Sequence, residues 1–234
     1  LEFRRVLFRS VSGRLTFNNK KGSLTLIGGS NNVNQQNFSM SDLSGVRGGG
    51  RGGFFGRMSG INTLHSMGAN YSGNINPKLK ISGSYFINVS ENNTISHSDE
   101  ELIGDINPTI ARYSLNNYNS GANNTNHRFN INVEYQIDSL NSIIYRQNVS
   151  FQKNDQNSLD QTVKYNLIES PLLEYLSENL SRFDRYNYWG NLTFRHKFLK
   201  PGRTVSLGLQ FSGYNQDGTS DNISNSQTPD GTID

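Results

Sequence analysis

The chain has 234 residues, of which 33% are hydrophobic and 18% charged, with a formal net charge of +3 and a mean hydropathy of −0.64. That is little material for the core of a soluble domain this long, yet 13 Phe and 11 Tyr are too many for a disordered chain. There is no Cys, which excludes a disulfide framework and thiolate metal sites, and no apolar run of about 18 residues, which excludes a membrane-spanning helix but not membrane-spanning strands.

Residues 1–10 hold Arg4, Arg5 and Arg9 against Glu2, so +2 of the net +3 lies there and the rest of the chain sums to +1. This segment is rich in Arg, Leu and Phe and has neither Asn nor Gly, unlike the remaining 224 residues. It reads as a non-native or artefactual segment, and residues 11–234 as the structured unit. Without it there is no basic field of the kind that holds nucleic acid.

The first expected strand covers residues 11–18, with Val11, Gly13, Leu15 and Phe17 on one face. A turn at Lys20-Lys21-Gly22 leads to a second over residues 23–34, where Leu24, Leu26 and Gly28 are in phase and Ile27 breaks the alternation. A long Gly-rich loop comes next, over residues 37–60. The third strand, residues 63–72, places Met67, Ala69 and Tyr71 together, and a turn at residues 73–77 ends in Pro77. In the fourth, Leu79, Ile81, Gly83, Tyr85, Ile87 and Val89 alternate with Lys80, Ser82, Ser84 and Asn88.

A polar stretch over residues 91–126 reads as a long loop. Next comes the plainest signal in the chain: residues 129–138, Phe-Asn-Ile-Asn-Val-Glu-Tyr-Gln-Ile-Asp, alternate apolar and polar without a lapse. A turn at residues 138–141 opens a ragged sixth strand over 142–152, in which Val149 and Phe151 share a face and Ile144 points the other way. Residues 153–182 read as a second long loop, and Ser170-Pro171 within it as the N-cap and first residue of a short helix. The seventh strand carries Tyr186, Tyr188, Gly190, Leu192, Phe194 and Phe198 in phase. Lys200-Pro201-Gly202-Arg203 is a turn, the eighth strand carries Val205, Leu207, Leu209, Phe211 and Gly213, and the polar segment from residue 215 reads as a loop.

The expected fold is therefore all-β, an antiparallel up-and-down meander. Its connections alternate short and long, the asymmetry of a transmembrane β-barrel with short periplasmic turns and long extracellular loops. Ten residues rising about 3.3 Å each and tilted about 45° span roughly 23 Å, the height of the apolar band in such barrels. Tyr186 and Tyr188 at one strand end and Phe198 at the other read as interfacial aromatic girdles.

Asn31-Asn32-Val33-Asn34-Gln35-Gln36-Asn37-Phe38-Ser39, the Gly/Arg-rich loop, Gly60-Ile61-Asn62-Thr63 and Gly68-Ala69-Asn70-Tyr71-Ser72 carry a family likeness. It continues in Ser84-Tyr85-Phe86, in Asn126-His127-Arg128-Phe129-Asn130 and in Glu134-Tyr135-Gln136-Ile137-Asp138. On these residues the chain resembles the outer-membrane β-barrel family of Bacteroidetes, which is similar to TonB-dependent receptors, over roughly residues 18–213. The resemblance implies a barrel of more than about twenty strands filled by a plug. It also implies a bacterial outer-membrane location and energy-coupled uptake of a bulky chelate, glycan or peptide. The implied partners are outer-membrane lipid, the TonB complex acting through a plug region, and a surface lipoprotein; no cofactor, catalytic residue or nucleic acid is implied. With only eight strands and no plug segment in view, the chain reads as part of a larger barrel.

Other chemistry finds less support in the residues. His65, His97, His127 and His196 are dispersed without metal-ligand spacing, and no nucleophile elbow or phosphate loop is present. Gly48-Gly49-Gly50-Arg51-Gly52-Gly53 lacks the following helix of a nucleotide fingerprint. The surrounding loop, with Arg47, Arg51, Phe54, Phe55 and Arg57, has the composition of an RNA-binding tract but is flanked by strand patterns. It reads as a surface loop contacting an anionic or sugar-like ligand. Asp217-Gly218-Thr219 and Asp230-Gly231-Thr232 are turn signals before they are calcium loops. A soluble or surface-attached β-rich adhesin is the alternative function, and a barrel enzyme with clustered rim residues the further one.

Overall fold

The computed structural model describes residues 9–32, 60–103, 111–166 and 168–228. Among these the fold is all-β: β1 (Ser10–Asn18), β2 (Gly22–Asn31), β3 (Ile61–Asn76), β4 (Leu79–Glu101), β5 (Tyr113–Gln136), β6 (Asn141–Tyr165), β7 (Pro171–Lys197) and β8 (Thr204–Gln227). They form one antiparallel sheet in strict sequence order, with no crossover and no pairing of β1 with β8. Ser10, the last residue of the compositionally distinct N-terminal segment, pairs with Asn31.

Each expected strand is present, but β4 to β8 run far past the bounds read from the sequence. Of the stretch expected as a loop over residues 91–126, residues 91–101 are the far half of β4 and residues 113–126 belong to β5, paired from Glu91↔Asn123 to Glu101↔Tyr113. Residues 153–165 are likewise the continuation of β6 and residues 171–182 the beginning of β7, and β8 carries the ladder on to Gln227. Ser170-Pro171 starts no helix: Pro171 is the first residue of β7, set against Tyr165 across a register shift, where its missing N–H costs the ladder least. Asp217-Gly218-Thr219 is mid-strand, so it is not a turn. Most of these stretches have polar residues on both faces, though the start of β7 carries Leu172, Leu176 and Leu180 on one, and alternation falls silent when no face needs to be apolar. At about 3.3 Å per residue, the 24 residues of β5 extend roughly 80 Å.

Four short connections lie at one end of the sheet, and a side chain closes three of them. Asn19 Oδ1 accepts from Lys21 N at 2.8 Å and Gly22 N at 2.7 Å. Asn76 Oδ1 accepts from Lys78 N at 2.9 Å across a two-residue turn. Asp138 Oδ1 accepts from Leu140 N and Asn141 N, each at 2.8 Å. These are Asx turns, in which a side chain stands in for the backbone. The fourth turn uses Pro201 and Gly202, whose φ of 82° is the left-handed value a type II turn requires, closed by Arg203 N donating to Lys200 O.

The Asp138 turn carries a pH signature. Hydrogen bonds from the Asn141 side chain and from the backbone of Leu140 and Asn141 favour the carboxylate and hold its pKa below the usual aspartate value. A depressed folded pKa means the contribution is complete above the unfolded value and lost as pH falls through the folded one. Asp138→Asn is expected to lower the unfolding temperature at neutral pH. Thermal unfolding of both proteins from pH 7 downward should show the gap closing below about pH 4; a gap independent of pH would refute the assignment.

Candidate functional site

Directly paired residues lie on one face of a sheet, so the register assigns every side chain. The row Phe17, Leu24, Tyr71, Gly83, Ile131, Gln147, Gly190, Phe211 crosses all eight strands on one face. The row Arg14, Ile27, Gly68, Phe86, Arg128, Ser150, Asn187, Tyr214 crosses them on the other. The first face is apolar over about ten residues per strand from the turn end; the second is rich in Asn, Ser, Thr and Gln throughout.

Burial runs against polarity. Every buried non-glycine residue on the strands lies on the polar face: Thr25, Asn31, Asn62, Ser66, Ser90, Ser120 and Asn126, with only Ile27 (5% exposed), Leu64 (4%) and Phe86 (2%) as hydrophobics. Ile27, which breaks the alternation of its strand, belongs to this small cluster in one row with Phe86. The strands' exposed large hydrophobics lie on the apolar face, Tyr214 excepted, Leu15 at 61% and Leu207 at 74% among them. A water-soluble sheet covers its apolar face and wets its polar one; this sheet does the reverse.

Aromatic groups mark both margins of the apolar band. At the far margin, Phe151 and Tyr186 stack at 4.7 Å, Tyr186 and Tyr188 at 5.5 Å, and Tyr85 Oη meets His127 Nδ1 at 2.7 Å. At the turn end, His196 and Phe198 meet edge-on at 4.8 Å. Beyond the far margin the same face turns charged: Lys153, Asp155, Arg182 and Asp184 occupy adjacent positions on β6 and β7, with ion pairs from Asp155 to Arg182 and to Lys153.

The polar face holds a hollow of about 600 Å³ over β5 to β8, lined by Arg128, Arg185, Trp189, Tyr214 and a set of Asn, Ser and Gln side chains. A second of about 370 Å³ adjoins it over β3 to β6, where Arg146 reaches Asn132. Alternation pointed to a wet face, but not to Trp189 and Tyr214 among its amides; the signal available was that the chain's single Trp is out of phase with Tyr186, Tyr188 and Leu192. Arg47, Arg51, Phe54, Phe55 and Arg57, expected to contact ligand, lie outside the described residues. His65, His127 and His196 fall at separate points along the apolar face and His97 on the far extension of β4. Among the described residues no group of three or more His, Asp or Glu is arranged to hold a metal ion.

Compared with known proteins, the chain matches no family model, and no curated protein gives a match.

Glycines set facing aromatics organise the apolar band between β7 and β8. Gly190 lies opposite Phe211 and Gly213 opposite Tyr188. A Cβ on Gly190 would come within 2.2 Å of the Phe211 ring, and one on Gly213 within 2.3 Å of the Tyr188 ring. Each ring therefore lies over a bare stretch of the neighbouring backbone. Gly190→Val is expected to displace Phe211 and cost about 1–3 kcal/mol. In an unfolding double-mutant cycle the cost should shrink in a Phe211→Ala background; strict additivity would show that the ring does not depend on the glycine.

Proposed function

We propose that the chain is part of the wall of an outer-membrane β-barrel that passes a bulky solute, the class of protein similar to TonB-dependent receptors. The inverted polarity carries this reading. A sheet with exposed Leu, Val and Phe on one face and buried Asn, Ser and Thr on the other suits hydrocarbon outside and water inside. The four short turns then face the periplasm, and the long polar extensions of β4 to β8 stand outside the cell. The aromatic clusters sit where the interfaces would be. Among the described residues β1 and β8 each pair on one side only, and an open edge inside a bilayer would leave a row of unpaired backbone groups, so in this proposal further strands complete the barrel.

In this proposal the chain transports and does not catalyse. Solute meets the extracellular extensions, then the amide-rich inner face. Coupling to the TonB complex acts through a plug that fills the lumen, and a surface lipoprotein assists capture. The inner face suits transfer because its Asn, Ser and Gln side chains offer both donors and acceptors, among which a few charged groups such as Arg128, Arg146 and Arg185 are set.

Leu207→Arg tests the lipid-facing assignment against Gln210→Arg on the inner face. For the chain folded into phospholipid vesicles, Leu207→Arg is expected to cost about 2–4 kcal/mol and Gln210→Arg little. If Leu207 instead faced water, its replacement would fall within about 0.5 kcal/mol of neutral. Denaturant unfolding from vesicles measures the difference, and equal small effects for both variants would reject the barrel wall.

A further inference from the structure

We infer that the hollow over β5 to β8 is a binding subsite for an acidic saccharide, a ligand combining a sugar ring with a carboxylate or sulfate. The inference rests on the reading of this face as the solute-lining one and adds the chemistry of what it holds.

The first observation is charge. Arg128 and Arg185 both line the hollow, and no Asp or Glu does. Arg128 lies in the row with Ser150, Asn187 and Tyr214, and Arg185 in the next row with Asn126, Gln152 and Gln216. One strand lies between them, two strand spacings or roughly 10 Å across the sheet, the scale of one or two sugar units. Asp184 and Asp217, near in sequence, are on the opposite face.

The second observation is that Arg185 is held in place without an acid. Its Nε and Nη2 donate to Gln216 Oε1 at 3.2 and 3.0 Å. Its guanidinium lies 5.4 Å from the Phe183 ring centroid and 6.0 Å from that of Tyr214. A guanidinium has five N–H donors in a fixed fork, so this grip positions the group and leaves Nη1 to donate to an anion. Arg182 pairs with Asp155 and Arg112 with Glu101, whereas the partners of Arg185 are neutral.

The third is the ring platform. Trp189 and Tyr214 line the same hollow, the one Trp of the chain placed among Asn, Ser and Gln side chains. The C–H face of a sugar ring carries partial positive charge and stacks on an electron-rich aromatic face, while its hydroxyls need the paired donors and acceptors that Asn130, Asn148 and Asn187 supply. An inorganic anion needs no platform, and a neutral sugar needs no pair of arginines.

Because Trp189 is the only tryptophan, its fluorescence reports on this hollow alone. The full chain, folded into vesicles, would be titrated with a trimeric uronic-acid saccharide, with the neutral trimer of the same linkage, and with inorganic sulfate. The acidic trimer should change the Trp189 emission saturably and bind at least about tenfold more tightly than either comparator. Arg185→Gln should weaken it about tenfold or more while circular dichroism shows the sheet intact. Raising the salt from about 0.05 to 0.5 M should weaken the acidic trimer only, a readout that needs no variant. Equal binding of the neutral trimer, or of sulfate, would overturn the proposal, as would binding indifferent to both salt and Arg185→Gln. No saturable change in a chain that protease protection shows to be inserted would sink this subsite and leave the barrel reading standing. Saturable, salt-sensitive binding by a chain that refuses to insert would uphold the subsite and sink the barrel reading.

Discussion

The strand register is the constraint on which everything else depends. A slip of one residue in any pairing would carry a whole strand's apolar side chains to the polar face. The four short turns prevent it locally: the Asx bonds of Asn19, Asn76 and Asp138 and the type II turn at Pro201-Gly202 fix where each hairpin reverses. The β6 to β7 connection has its own device at the other end, Asn166 Oδ1 accepting from Ile168 N and Ser170 N, and beyond the turns the ladder itself holds β4 to β5 and β6 to β7. It does so with unbroken pairing from Leu79↔Tyr135 to Glu101↔Tyr113 and from Asn141↔His196 out to a single irregularity at Lys164/Tyr165. Side-chain bonds between strands add to it, as where Asn116 Nδ2 bridges Asp160 and Thr162.

Such a sheet is not stabilised from within. The buried hydrophobic side chains among the described residues are Ile27, Leu64 and Phe86. Each Leu, Ile or Phe on the apolar band would gain about 1.5–3 kcal/mol if an apolar medium replaced water around it. On the proposed reading the hydrophobic term comes from the surroundings of the sheet, and the low hydrophobic fraction of the sequence stops being an anomaly. Only one face of each strand, over ten residues or so, has to be apolar.

The strands and their order were legible because alternation is a direct record of two unlike environments. Where the environments were unlike, from Val11 to Phe17, Leu79 to Val89, Phe129 to Ile137 and Val205 to Phe211, position and phase read straight from the residues. Where both faces are polar, as from Glu91 to Glu101 or Asn154 to Lys164, the chain is equally extended but leaves no period-2 signal, and a loop was the natural reading. Ser170-Pro171 misled for a different reason: Pro with a preceding Ser suits a helix start and also the first residue of a strand, and only the neighbouring β6 decides between them. The polar hollow was half legible. The amides were visible as the wet face, but assembling Arg128, Arg185, Trp189 and Tyr214 needed the cross-strand register, which no single segment contains.

Charge placement distinguishes between covers for the apolar face. From the turn end to the row of Lys153, Asp184 and Asp217, that face carries no Asp, Glu, Lys or Arg on any strand, and His65, His127 and His196 stand only toward its margins. One row further out, Glu91, Asp155 and Arg182 appear together on three strands. A protein partner would impose an irregular outline, apolar where it touches and charged between. A boundary at one level on neighbouring strands, edged by stacked Tyr and Phe, is what a slab imposes. The slab that fits is about ten strand residues deep, roughly 23 Å at a 45° tilt, and this is the physical content of the outer-membrane proposal.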